Sequence, residues 1–151
     1  MFKNLEEKEI KFILDNNYIG HLGYIYQNKP FVIPITYFFD KDSNAIICYS
    51  ADGHKMNAMR ANTNVSLQVN TIQTVTQWKS VLIHGQYEQK YGSEAKSYLH
   101  KFSLGVKDAI LEKEHKKASF IEEFSSKTYN GNMPSVFLIK IDDFTGKKRN
   151  T

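Results

Sequence analysis

The sequence has few of the features that cross-link a chain or place it in a membrane. It contains one cysteine and three prolines among 151 residues. Cys48 cannot form an internal disulfide, which excludes a disulfide-stapled secreted domain and favours a reducing cytoplasm, and its apolar neighbours predict a buried, inert thiol. No apolar stretch approaches the roughly 20 residues of a membrane span, and three early glutamates occupy the place of a signal peptide's apolar run. We predict one cytoplasmic domain covering residues 1–151.

The sequence also has only a slight excess of basic over acidic side chains. Twenty basic and 16 acidic side chains leave a net charge of +4, and aromatic residues make up 13% of the chain. Basic charge combined with aromatic side chains is typical of nucleic-acid binders. A surplus of this size more often aids solubility, so we predict no nucleic-acid partner.

The histidines and glycines lack the spacings of common catalytic and metal sites. None of His21, His54, His84, His100 and His115 shows the paired spacing of metal ligands. The chain has no Gly-x-Ser-x-Gly elbow, no Gly-x-Gly-x-x-Gly dinucleotide motif and no Gly-Lys-Ser/Thr phosphate loop. We therefore predict no metal site, and protease, kinase and hydrolase functions have no support.

Six segments are rich in β-branched and aromatic residues and are separated by turn residues, which is typical of strands. They are Tyr18–Tyr26, Phe31–Phe39, Ala45–Ser50, Val65–Ile72, Trp78–Gln89 and Ser135–Ile141. Pro34 cannot donate a ladder hydrogen bond, so it predicts an edge position or a bulge in the second strand. The pattern favours a small antiparallel β-barrel in one unit.

Four further segments have helical spacing or composition. They are Leu5–Asn17, with Asn4 and Glu7 as a capping box, then His54–Ala61, Ser93–Phe102 and the charged stretch Lys107–Phe124, with Gly105 as an interruption between the last two. The basic tail Gly146–Arg149 is expected to fray into solvent.

The segment Gly53-His54-Lys55 follows a strand and opens a short helix. Free backbone N–H groups at a helix start, beside the positive charges of Lys55 and Arg60, can form an anion site. The alternative is a glycine turn with solvated cations, and the local sequence alone favours it.

The only tryptophan, Trp78, opens the fifth strand beside Lys79 and Ser80. A half-exposed indole near hydroxyl and amine donors suits a planar polar ligand. The alternative is that Trp78 closes one end of the barrel core.

Taken in chain order, these segments resemble the pyridoxamine 5′-phosphate oxidase-like flavin-binding family, and within it the nitroimidazole-resistance (Nim) proteins and their flavin-nucleotide-binding relatives. The segments that carry the resemblance are Phe31–Tyr37, Tyr49-Ser50, Gly53–Lys55, Trp78–Val81 with Gly85, and Thr145–Lys147. The likeness runs from about Tyr18 to Gln89 and resumes near Ser135. It implies a mainly β fold, a six-stranded antiparallel split β-barrel with short flanking helices, which forms a homodimer with FMN at the subunit interface.

The resemblance also implies a set of FMN-contacting residues. Those along the isoalloxazine, largely through backbone groups, are Pro34, Ile35, Thr36 and Tyr37. Tyr49 and Ser50 would lie along the ribityl chain and phosphate, while His54 and Lys55 match the phosphate-binding pair. In the Nim proteins the histidine matching His54 is implicated in the reduction chemistry, so His54 is also the candidate catalytic residue.

Trp78 and Ser80 match strand positions that approach the flavin from the partner subunit. The chain departs from the true pyridoxamine-phosphate oxidases near its C-terminus, because Asp142–Thr151 contains no histidine to match their substrate-binding pattern. Pyridoxamine phosphate is therefore not the expected substrate.

The resemblance implies an FMN-dependent oxidoreductase that reduces aromatic or nitroaromatic compounds, with NAD(P)H as a possible electron donor. One alternative keeps the fold but binds haem, through His21, His54 or His84, or a deazaflavin. Another is a flavin-binding module without turnover. No membrane partner is expected.

Overall fold

In a computed structural model, residues 1–114 and 135–150 are described, and they form seven strands and three helices. The strands are β1 (Phe2–Asn4), β2 (Ile19–Tyr26), β3 (Lys29–Asp40), β4 (Ala45–Ser50), β5 (Asn64–Thr74), β6 (Gln77–Lys90) and β7 (Ser135–Asn150). The helices are α1 (Glu7–Asp15), α2 (His54–Ala61) and α3 (Gly92–Glu114). None of these helices is long and apolar enough to cross a membrane.

Six of the strands close into an antiparallel barrel. The neighbours run in the order β7, β4, β3, β2, β5, β6, and β6 pairs again with β7 to complete the ring. The expected antiparallel split-barrel class is confirmed, but the described residues contain seven strands rather than six. The seventh is β1, which pairs with the end of β7 at Phe2↔Arg149.

Buried and outward-facing residues alternate along the strands, and this alternation shows which side chains form the barrel core. On β5, Val65, Leu67 and Val69 are buried, whereas the residues between them are half-buried on the other face. β4 is buried along almost its whole length because both of its faces are covered. Its Ile46 belongs to the barrel core and its Ile47 to a second cluster beneath α3.

Helix α1 packs into the barrel core. Its buried residues Ile10, Ile13 and Leu14 belong to the core cluster, and the Tyr37 hydroxyl donates to the Leu14 carbonyl at 2.8 Å. The predicted capping box is wrong. Glu6 occupies the N-cap position without a side-chain cap bond, while the Asn4 side chain accepts a hydrogen bond from Lys147.

Helix α3 runs through Gly105 without a break, so the predicted interruption is wrong. The helix lies so close to β3 that a Cβ atom at Gly105 would fall 2.2 Å from two carbons of the Phe38 ring. Glycine is needed here for close packing, and burial of Phe102, Val106 and Ile110 on one face offsets its low helix propensity. The predicted helix beyond Glu114, like His115, lies outside the described residues.

The basic C-terminal segment does not fray, contrary to expectation. β7 continues to Asn150, with β6 on one edge and β1 on the other. Lys148 pairs with Glu9 at 3.3 Å, and Lys147 donates to the Asn4 side chain at 2.6 Å. Non-local backbone pairing therefore orders a segment whose composition resembles a solvated tail.

Candidate functional site

The barrel wall has an opening between β3 and β4. The two strands pair only over Tyr37–Asp40 of β3, so residues 29–36 have β2 as their one neighbouring strand in the described part of the chain. On the other side, Tyr49 and Ser50 pair with β7, and neither pairs with β3 among the described residues. We call this gap, bordered by residues 34–36 and 49–50, the β3–β4 opening.

Pro34 lies on the free edge of this opening. It faces His21 of β2 in unbroken register, and no strand pairs with it on the opposite side among the described residues. The structure thus selects the edge position over the bulge. A proline is tolerated here because its missing N–H removes no ladder hydrogen bond on a free edge.

Helix α2 begins at His54, shortly after β4 ends at Ser50, and its His54 ring contacts Phe31 on the unpaired part of β3. Its buried Met56 and Met59 join the barrel core, and it packs against β2. The first N–H groups of a helix have no partner within it, so the backbone at His54 and Lys55 has donors to offer. Burial raises the pKa of the Cys48 thiol, and the nearby Lys55 ammonium opposes that rise. Lys55 therefore contributes positive charge close to β4, while the buried thiol is inert.

Arg60 does not add a free charge to this site. Its guanidinium donates to Asp52 at 3.0 Å, to Asn57 at 3.1 Å and to Gln89 at 3.0 Å. These bonds tie the loop before α2 to the helix and to β6. Arg60 consequently braces the segment that carries His54 and Lys55.

The His54 imidazole sits in a nest of three aromatic rings. Its ring centroid lies 5.0 Å from those of Tyr26 and Phe31, in edge-on contacts, and 5.9 Å from that of Tyr24. The Tyr24 hydroxyl is 3.2 Å from His54 Nδ1. The sequence reasoning missed this nest, whose only signal is that Tyr24 and Tyr26 are two residues apart on one strand.

Several predicted contacts are available only through the backbone. The Tyr37 hydroxyl is committed to the Leu14 carbonyl, and Ile35 is buried. The Tyr49 ring packs against Phe102 of α3 at 6.0 Å, and burial raises the pKa of Tyr49 to about 12. Their side chains therefore point away from the opening.

The side chains of Pro34 and Thr36 face outward, because side chains alternate between the two faces along β3. Ser50 borders the opening at the end of β4, with its hydroxyl 3.3 Å from the Ala51 carbonyl. Together with His54 and Lys55, these residues form the part of the predicted site that one chain brings together.

Trp78 and Ser80 lie elsewhere on the barrel. Both are on β6, which is separated from β3 by β2 and β5, so about 14 Å of sheet lies between them and Pro34. Trp78 is half-buried beside Phe2, at 5.7 Å between ring centroids, and belongs to neither core cluster. The structure thus excludes the alternative in which Trp78 closes the barrel core.

A polar network links Ser80 to the strand beside Pro34. Gln68 donates to the Ser80 hydroxyl at 2.9 Å, and its side-chain oxygen lies 3.0 Å from His21 Nδ1 and 3.1 Å from Asn70 Nδ2. These side chains occupy the outer face of β2, β5 and β6. Sequence reasoning did not single out this network, because its members are far apart in the chain.

The same outer face exposes large apolar side chains. Ile19 is 51% exposed, Val32 69% and Ile72 68%, and register and alternation put all three on one side of the sheet formed by β3, β2, β5 and β6. We call this surface the outer sheet face. These apolar side chains share the face with the polar network around Gln68.

Comparison with known proteins agrees with the fold. A family model described as pyridoxamine 5′-phosphate oxidase matches residues 6–148. The chain belongs to the pyridoxamine 5′-phosphate oxidase family. Membership of this flavin-binding split-barrel family, expected from the ordered motifs, is thus confirmed.

Individual relatives of this family are distant. The chain is 31% identical to the uncharacterized protein RA0666 of Rhizobium meliloti over 85 residues. The aligned region covers 56% of this chain and 55% of the relative, so the match spans about half of each. A FAD-binding protein from Mesorhizobium loti matches with a TM-score of 0.74, 23% identity and 99% coverage of both chains. A candidate 5-nitroimidazole antibiotic resistance protein from Bacteroides thetaiotaomicron matches at 0.66, with 16% identity, over 98% of this chain and 89% of that one. Identities this low show a shared fold.

Proposed function

We propose that this member of the pyridoxamine 5′-phosphate oxidase family binds FMN in the β3–β4 opening. The observation that carries the proposal is that Pro34, Thr36 and Ser50 border one gap in the barrel wall, while His54, which begins α2 with Lys55, contacts Phe31 on the unpaired part of β3. Sequence order alone does not require the three segments that supply them to meet.

The residues at the opening suit the two ends of FMN. A strand edge that no strand of the described residues pairs with presents backbone donors and acceptors, which match the hydrogen-bonding edge of a planar heterocycle. The start of α2 and the Lys55 ammonium suit a phosphate dianion, through backbone N–H groups and a charge-assisted hydrogen bond. When bound, the flavin would supply the electron-transfer chemistry, and the protein would supply orientation and charge.

The proposed site is completed by a second copy of the chain. Trp78 and Ser80 are three strands from the opening, so the same subunit's pair does not reach a ligand bound there. A two-fold dimer that buries the outer sheet face would cover Ile19, Val32 and Ile72 and bring the partner subunit's Trp78 and Ser80 toward the flavin.

The proposed activity is reduction of a small aromatic or nitroaromatic compound. Reduction of a nitro group to a nitroso group takes two electrons and two protons and releases water; a hydride from NAD(P)H supplies both electrons and one proton. A water molecule would supply the second proton, and His54, at the edge of the opening, would bind the flavin phosphate. An aromatic substrate would stack on the open flavin face.

The proposal that the protein binds FMN is tested by titrating the purified protein with FMN. Binding is followed by visible absorbance and flavin fluorescence. We expect saturable binding at micromolar FMN, weakened by the double substitution His54→Ala and Lys55→Ala. A folded protein that does not bind FMN, or a double variant with unchanged affinity, would contradict the site. A parallel FAD titration determines which flavin binds more tightly.

Steady NAD(P)H consumption in the presence of a nitroaromatic acceptor separates an enzyme from a flavin-holding module.

Reconstitution with haem is the matching control for the cofactor. His21, His54 and His84, the residues considered as iron ligands, each have Nδ1 within hydrogen-bond distance of another side chain. A haem absorption band would favour the haem alternative. The cytoplasmic location and single-domain organisation stay predictions.

A further inference from the structure

We propose that Tyr24 is a positioning residue that holds the His54 imidazole with Nε2 protonated and directed at the ligand's phosphate. The inference deepens the proposed function, on which its ligand-binding part rests. It is carried by the contact between the Tyr24 hydroxyl and His54 Nδ1 at 3.2 Å.

Tyr24 is itself held firmly. Its side chain is only 5% exposed, and its ring is stacked on Phe31 with 5.3 Å between centroids and 8° between planes. Two χ angles define a tyrosine, so a stacked and buried ring fixes the place of its hydroxyl oxygen. The hydroxyl therefore holds a defined position from which it can orient the imidazole at the start of α2.

The direction of this hydrogen bond follows because the Tyr24 O–H requires an acceptor. Among the described residues, His54 Nδ1 is the one hydrogen-bond partner of the Tyr24 hydroxyl. If Nδ1 carried the proton and donated it, the O–H of this buried tyrosine would have no acceptor among the described residues, which costs free energy. Donation from Tyr24 to Nδ1 avoids that cost, and a neutral imidazole then carries its proton on Nε2.

The aromatic nest fixes which side of the imidazole remains open. Tyr24, Tyr26 and Phe31 occupy the barrel side of the ring, whereas His54 as a residue is exposed. Nε2, across the ring from Nδ1, is thus the nitrogen available to a ligand. Beside Lys55 and the first N–H groups of α2, an Nε2–H adds a further donor for a phosphate oxygen.

The tautomer of His54 can be measured by long-range proton–nitrogen correlation NMR of the histidine rings. The experiment uses flavin-free protein at a pH where His54 is neutral. We expect Nδ1 to give the shift of an acceptor nitrogen and Nε2 that of an N–H nitrogen. Tyr24→Phe keeps the stacked ring and should move both shifts toward the average of two exchanging tautomers. Unchanged shifts in Tyr24→Phe would overturn the proposal.

Tyr26→Phe is the matched control, because it removes the same atom from the same nest. The Tyr26 ring contacts His54 edge-on, but no hydrogen bond joins their side chains. The control should leave the His54 nitrogen shifts unchanged. Equal shift changes in both variants would overturn the proposal, because they would reflect general loosening of the nest.

FMN affinity provides the second readout, through a double-mutant cycle. Tyr24→Phe should raise the FMN dissociation constant about two- to tenfold, the range of one hydrogen bond, and should add nothing in the His54→Ala background. Equal weakening with and without His54 would overturn the positioning role. If the wild type binds no FMN, the proposed function fails, while the NMR experiment still decides the tautomer.

Discussion

Tyr37 and Cys48 form the last residue pair that joins β3 to β4, and beyond this pair the two strands separate. Both side chains are buried in the core, so the point of separation is anchored from within the barrel. The opening that results exposes one edge of β3 and lies beside the start of α2. Its position explains why three separate sequence segments contribute to one candidate site.

Lys55→Ala should weaken FMN binding selectively through the phosphate. We expect the FMN dissociation constant to rise about tenfold or more, because a charge-assisted hydrogen bond is lost. Affinity for riboflavin, which has no phosphate, should change little. Fluorescence titrations with both flavins check this, with Lys96→Ala, an exposed lysine on α3, as the control. Equal loss for the two flavins would place Lys55 away from the phosphate.

Ile19→Lys should separate the proposed dimer into monomers. The substitution puts a charge on the outer sheet face, where Ile19 is 51% exposed, and burying that charge at an interface is costly. Leu104→Lys is the matched control, since Leu104 is 52% exposed on α3, away from that face. Sedimentation velocity at micromolar concentration measures the outcome. A wild type that is monomeric, or an Ile19→Lys variant that stays dimeric, would count against this interface.

Gly105→Ala should destabilise the fold by about 1–3 kcal/mol, because the new methyl group overlaps the Phe38 ring. In a Phe38→Ala background the same substitution should stabilise by up to about 1 kcal/mol, since alanine is the better helix former. Urea unfolding of the four proteins measures both effects. The same sign in both backgrounds would show that the contact with Phe38 does not select glycine.

Alkaline pH should destabilise the protein partly through Tyr49. Burial raises the pKa of Tyr49 to about 12, whereas an unfolded tyrosine titrates near 10. Because the raised pKa belongs to the folded state, this contribution is complete below about pH 10 and is lost as the pH rises toward about 12. The free energy of unfolding should therefore fall less steeply in Tyr49→Phe over this window. Parallel pH profiles for the two proteins would contradict the assignment.

Sequence patterns predicted the barrel strands because alternation is a local property. Val65, Leu67 and Val69 signal one buried face whatever strands lie beside them. The pairing of β1 and the ordering of Lys147–Arg149 depend on strands far away in the chain, and polar edge segments carry no alternation signal. Gly105 was misread for a similar reason, because its need for glycine comes from a ring on β3.

Prediction of the site was limited in the same way. Segment order indicated which residues belong to it, but spacing cannot show that the Tyr49 ring turns toward α3 or that Arg60 is bound to Asp52. The contact between Tyr24 and His54 also joins residues 30 positions apart. Side-chain direction and non-local hydrogen bonds therefore had to come from the structure.

Subunit mixing tests most directly the central claim that FMN binds in the opening of one chain and is completed by its partner. Lys55→Ala and Trp78→Ala should each bind FMN poorly as homodimers. Equimolar subunit exchange makes about half of the dimers mixed, each with one site that has both wild-type residues, so about one site in four should regain wild-type affinity. FMN binding that stays at the level of the unmixed variants would contradict the claim.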